Sequence, residues 1–199
     1  MSTARTWWSA LYQQRPTPRE GLFFNVAAVE IVEAAPVELK CVRAWDKAAT
    51  RGAGDYTVGV KMGISPDKIL YVLDVVRGRW ATDERNRMIR RTAEFDGHEV
   101  GIRGPQDPGS AGVDSASDFV KLLSGYGVRV KHVTGSKESR AESFSAQLNA
   151  GNVKLVRGRW NRDFLEELQA FPRGAHDDQV DAASDAYNEL CQRREYLVA

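Results

Sequence analysis

The chain has little cysteine and little histidine. Its 199 residues include two cysteines, Cys41 and Cys191, and three histidines, His98, His132 and His176. The cysteines are far apart and the histidines show no paired zinc spacing, so neither a disulfide framework nor a structural zinc site is expected. A reduced, cytoplasmic setting is expected. No apolar run approaches the roughly 18 residues of a membrane-spanning helix, and the opening MSTARTWWSALYQQ lacks a basic stretch followed by an apolar one. There is no G-x-x-x-x-G-K-[ST] motif; Gly135-Ser136-Lys137 only grazes it, which excludes a phosphate-loop ATPase. A Gly-x-Ser-x-Gly elbow is also missing.

Net charge is equally uninformative. Lys plus Arg number 28 against 27 Asp plus Glu, so the global balance neither selects nor rejects a nucleic-acid partner. The distribution says more. Arg77, Arg79, Arg85, Arg87, Arg90 and Arg91 crowd one segment, and Lys131, Lys137, Arg140, Lys154, Arg157, Arg159 and Arg162 another. A basic rim around an acidic centre suits a protein that holds a phosphate backbone. Solvated helix faces are the competing explanation for any single member.

Three acidic sites stand out. Asp46 lies in VRAWDKAAT at the end of an apolar strand-like run, where Asp is disfavoured. Asp107 lies in GIRGPQDPGSAG, just beyond another strand, and a strand's carboxyl end is where open sheets bind ligands. The third is HDDQVDAASDAYNEL, in which Asp178, Asp181 and Asp185 share one helical face. Asp177 and Asp178 also suit a helix N-terminus, but that explains Asp181 and Asp185 less well. Carboxylates from two strand ends and a late helix form a set of hard oxygen donors for divalent metal, a chemistry that fits phosphodiester hydrolysis.

Hydrophobic periodicity supplies the frame. Strands are expected at 37–45, 56–62 and 69–76, as an antiparallel meander. A helix over 82–95 follows, with Thr82 as its N-cap and Asp83 and Glu84 at its positive end. Next come a strand at 99–103, a helix at 115–123, a strand at 128–133 and a helix at 138–149. A short edge strand at 153–156 and helices at 161–171 and 177–194 complete the order. This predicts an α/β chain with a mixed central sheet (three antiparallel strands plus parallel ones) flanked by helices, the layout of the ribonuclease H-like fold. Residues 1–36 read as an arm or linker and residues 37–199 as the domain. VRGRW occurs twice, at 76–80 and 156–160. With no surrounding period it reads as coincidence.

The segments RAWDKAAT, GDYTVGVKMG, YVLDVVRGRW, PQDPGSAG, VTGSKESRAESFSAQLNAGNV and HDDQVDAASDAYNEL, in that order, resemble the C-terminal nuclease domain of tailed-bacteriophage large terminase subunits. The resemblance spans 37–192, and SALYQQRPTPREG resembles the segment that leaves the ATPase domain of such subunits. It implies a metal-dependent endonuclease that cuts concatemeric viral DNA during genome packaging in the host bacterial cytoplasm. Two ions, Mg²⁺ or Mn²⁺, are implied as cofactors. Double-stranded DNA, the ATPase domain, the small terminase subunit and the portal are the implied partners. By motif matching, Asp46, Asp107 and Asp178 are the catalytic metal ligands and Asp181 a further one; adjacent Asp177 is an equally placed candidate. Lys137 and Arg140 match the family's basic motif and are the expected DNA contacts, followed by Arg77 and Arg79. The rival readings are another ribonuclease H-like nuclease, such as a junction resolvase, and a non-catalytic DNA-binding packaging module.

Overall fold

The computed structural model describes residues 22–47, 56–106, 109–132 and 134–191. Among the described residues seven strands form one sheet: β1 (Glu30–Val32), β2 (Lys40–Asp46), β3 (Thr57–Ile64), β4 (Leu70–Gly78), β5 (Gly101–Gln106), β6 (Val128–His132) and β7 (Val153–Val156). The helices are α1 (Thr82–Asp96), α2 (Ser110–Leu122), α3 (Lys137–Asn149), α4 (Asn161–Ala170) and α5 (Asp178–Cys191). A 3₁₀ turn at Val26–Ala28 precedes β1.

The strand order is β1-β7-β4-β3-β2-β5-β6. β3 is antiparallel to both β2 and β4, and every other pairing is parallel. All strands except β3 therefore end on the same edge of the sheet. The alternation of side chains along a strand sorts β2 into two faces. Val42 and Ala44 join one core with Phe144, Leu148, Phe164, Leu168, Val180 and Ala183 from α3, α4 and α5. Trp45 joins a second core with Ile89, Ala93, Ile102, Phe119 and Leu123, on the side of α1 and α2. The result is a helix–sheet–helix sandwich, the expected mixed sheet flanked by helices.

Several local expectations are corrected. The segment 153–156 is interior rather than an edge strand, because β1 pairs with β7 on its far side. β1 is itself an addition: residues 22–36 run along the domain, Phe24 is buried in the core, and Ser145 Oγ and Asn149 Nδ2 both donate to the Phe23 carbonyl. Three residues carry too short an alternation to read as a strand. Helix α1 has Ala81 at its N-cap position with no side-chain cap, so Thr82 is its first helical residue. Helix α2 begins at Ser110, five residues before the expected start, because small Gly and Ala residues that read as loop are helical here.

The VRGRW pair also has structural content. Its two copies leave β4 and β7, which are parallel neighbours. In each copy the tryptophan folds back over the glycine two residues earlier, so that a Cβ on Gly78 or Gly158 would collide with the Trp80 or Trp160 ring. Glycine is required at both places to let the chain leave the strand under its own indole.

Candidate active site

Asp46 ends β2, at the carboxyl edge of the parallel strands. It shares the strand face of Val42 and Ala44, and so points towards α5, which packs across β2 and β3. That helix brings its acids to the same place. Asp178 is 4% exposed, and its Oδ2 accepts a hydrogen bond from the Tyr56 backbone N–H at 3.3 Å. Asp181 and Asp185 follow at one and two turns. The Asp46 carboxyl is pushed up to about 8, first by burial, then by the negative charges of Asp181, Asp178 and Asp185, with Lys137 acting the other way. Asp185 is also raised: burial dominates, Arg103 and Arg140 oppose it, and Asp181 adds repulsion.

The two expected DNA contacts on α3 turn inward. Lys137 Nζ stands 2.5 Å from Asp177 Oδ1 and 3.3 Å from Asp181 Oδ2. Arg140 Nη2 stands 2.6 Å from Asp181 Oδ1. Burial works against the Lys137 charge, but Asp177 and Asp181 outweigh it and hold its pKa above the usual lysine range. Ser136 caps α3 by accepting the Ser139 N–H, which fixes where this cationic turn meets the acids.

Arg77 and Arg79 sit on the opposite flank, where β4 ends. Their guanidinium carbons lie 3.7 and 4.1 Å from the centroid of the Tyr56 ring. Arg77 is held by Glu167 at 3.3 Å. Arg79 is exposed and reaches His176 Nε2 at 3.5 Å. His176 packs edge-on against the same ring, with Nδ1 3.9 Å from Asp178 Oδ2. Asp107 lies outside the described residues; β5, paired beside β2, ends at Gln106 on the same edge.

Asp46, Asp177, Asp178 and Asp181 are thus gathered around one edge, with Lys137 and Arg140 among them and Arg77 and Arg79 beside them. The ring of Tyr56 was not legible as part of this site, since an aromatic opening a strand is ordinary core material. Arg103, from within β5, was equally invisible. Among the described residues no three His, Cys, Asp or Glu side chains converge closely enough to make a ready cage for a metal ion. The donors nonetheless suit a hard divalent cation: they are all carboxylates, and Asp46 faces the negative charges of Asp181, Asp178 and Asp185.

The terminase RNase H-like domain family matches residues 43–190. No curated protein sequence matches the chain. Among solved structures, the large terminase nuclease from thermophilic phage G20c is similar in three forms. With bound magnesium the TM-score is 0.66 at 16% identity, covering 86% of this chain and 99% of that one. With bound zinc the values are 0.65 and 15%, covering 85% and 99%. With bound cobalt they are 0.64 and 15%, covering 86% and 99%.

Proposed function

The chain belongs to the terminase RNase H-like domain family, and on that premise we propose that it is a metal-dependent DNA endonuclease that cuts concatemeric viral DNA during genome packaging. The observation that carries this reading is the half-buried Asp46 carboxyl at the carboxyl edge of the sheet, on the face of β2 that α5 crosses with Asp178, Asp181 and Asp185. Burying like charges together is unfavourable unless a counter-charge arrives. The phage G20c nuclease with magnesium, zinc or cobalt bound supports a divalent cation as that charge.

Asp46 and Asp178 would hold the ions, with Asp181 or Asp177 and with Asp107. When bound, two ions, Mg²⁺ or Mn²⁺, supply Lewis acidity and charge neutralisation at a phosphodiester. The chain's own residues do the rest. The Tyr56 N–H fixes one oxygen of Asp178 and so orients the carboxylate. Lys137 and Arg140 hold α5's acids in register, and their charge is available to a phosphate once those acids are engaged elsewhere. Arg79, stacked on Tyr56, presents a second cation on the opposite flank. These contacts recognise backbone rather than bases, so little sequence preference is expected. Double-stranded DNA is the substrate in this reading, with the motor ATPase domain, small subunit and portal as partners in the host cytoplasm.

The test is direct. Supercoiled plasmid incubated with the protein should be nicked and linearised in Mg²⁺ or Mn²⁺ and left intact in chelator. Asp46→Ala should abolish cutting without altering the circular dichroism spectrum. Four-way junctions cut in preference to linear duplex would instead favour the resolvase reading.

A further inference from the structure

A second, basic recess adjoins the acidic centre. It lies between the ends of β5 and β6, the first two turns of α3 and the middle of α5, with a volume of about 210 Å³. Its lining includes Arg103, Lys131, Thr134, Ser139, Arg140 and Ser143. Arg103 is 4% exposed, an unusual burial for arginine. Its guanidinium is anchored by donating to the carbonyls of Gly104 and Lys131.

Lysine and arginine outnumber carboxylates in this lining, three to two. Two carboxylates line it, Asp185 and Glu189. Glu189 is engaged by Arg129 at 2.9 Å, while Arg103 is 4.0 Å away. Asp185 faces the charges of Arg103, Arg140 and Lys131, Arg103 also faces Glu189, and Arg140 is shared with Asp181 outside the recess. Cations surrounded by hydroxyl donors are the chemistry that holds a phosphate. The size narrows the ligand further. The volume falls below the ~300–1,000 Å³ of ordinary small-molecule sites, so a single phosphate group fits better than a whole nucleotide. Arg140 joins the two regions, since it lines the recess and also reaches Asp181 of the acidic centre.

We propose that this recess seats a non-scissile phosphate of the DNA strand whose neighbouring phosphodiester lies in the acidic centre, a reading that rests on the nuclease function proposed above. The recess then sets the path of the strand across the carboxyl edge: Arg103 and Lys131 grip one phosphate while the acids address the next.

Ser143→Glu tests this, because Ser143 is exposed on α3 and a glutamate there sends a carboxylate into the recess while preserving the helix. Lys131→Gln is the second variant. Affinity for a short duplex is read by fluorescence anisotropy in Ca²⁺ across a salt series. Each variant should bind about 10-fold more weakly than the wild type, with a log–log salt slope shallower by about one. The Mn²⁺-induced rise in melting temperature, which reports the acidic centre, should persist in both variants. Wild-type affinity and salt slope in both variants would overturn the recess alone, and plasmid cutting would still stand. If inorganic phosphate binds the wild type by calorimetry while duplex affinity is untouched in the variants, the recess holds a free anion and the proposal fails. A wild-type protein that neither binds nor cuts DNA in Mn²⁺ would sink the nuclease reading and this proposal together.

Discussion

Strand β2 carries two charged side chains three residues apart, Arg43 buried and Asp46 half-buried, and the fold treats them in opposite ways. Arg43 faces α1. Its Nε lies 2.5 Å from Asp96 Oδ2, its Nη2 2.8 Å from Asp74 Oδ2, and its Nη1 donates to the Gly59 carbonyl at 2.9 Å. Lys61 adds a contact to Asp96 at 3.0 Å. Burial alone would raise the Asp96 pKa, but Arg43 and Lys61 outweigh it and hold that carboxyl below its ordinary range. Asp46 faces α5 and meets mostly other acids, so its carboxyl moves the other way. The first cluster is internally neutralised and needs nothing from outside. In the second, carboxylates crowd one another and raise the Asp46 pKa, and such crowding marks a site rather than a structural joint.

Removing one charge from each cluster should therefore have opposite consequences. Asp46→Asn should abolish plasmid cutting in Mn²⁺, yet leave the metal-free protein as stable as the wild type or more so at pH 8, because a strained carboxylate has gone. Melting curves with chelator and with Mn²⁺ check this: the Mn²⁺-induced rise should vanish in the variant. A large loss of metal-free stability would show that Asp46 is paired after all and erase the contrast. Arg43→Met should do the reverse. Breaking a buried ion pair from one side costs about 3–5 kcal/mol, read as a lower urea midpoint at unchanged slope, with cutting per folded molecule retained.

The pH dependence sharpens the same contrast. Asp46 has a folded pKa of about 8, above the roughly 3.9 of an unfolded aspartate. Its contribution to stability is fully present below about pH 4 and is lost as pH rises towards 8. Asp96 has a depressed folded pKa, so its contribution is present above the unfolded value near 4 and lost as pH falls through the folded one. In chelator, the wild-type melting temperature should decline from pH 5 to 8, and Asp46→Asn should flatten that decline without touching the acid limb. A flat wild-type profile between pH 5 and 8 would count against an Asp46 carboxyl crowded by other acids.

What the sequence exposed follows from the same physics. Asp46 was legible because aspartate at the end of an apolar strand violates a local preference, and Asp178, Asp181 and Asp185 because a helix repeats every 3.6 residues. The mixed sheet was legible because its strands are apolar and bounded by turn residues. Arg43 was hidden, since a single arginine in CVRAW gives no sign that Asp96, 53 residues away, neutralises it. β1 was hidden because three residues have no period of their own. Lys137 and Arg140 were found by motif, but their inward turn towards Asp177 and Asp181 depends on how α3 crosses α5, which spacing along the chain does not encode.

The smallest expected effect lies at the rim. Arg79 is exposed, has no ion pair among the described residues, and rests on the Tyr56 ring with His176 beside it. Stacking holds the guanidinium in place without neutralising it, so its charge stays available to a phosphate. Tyr56 in turn anchors Asp178 through its backbone N–H, which places Arg79 beside the acids rather than on a remote face. Arg79→Ala should weaken duplex binding only a few-fold, equally for all sequences, and reduce the salt slope by about one. Arg79→Lys should restore the slope but not the full affinity, because an ammonium lacks the planar surface that stacks on tyrosine. Tyr56→Ala separates the two contributions. If Arg79 works through preorganisation, that variant should reproduce the Arg79→Lys deficit in the wild-type Arg background. Undiminished duplex affinity in Tyr56→Ala would reduce Arg79 to an ordinary surface charge and move the boundary of the site inward to the acids.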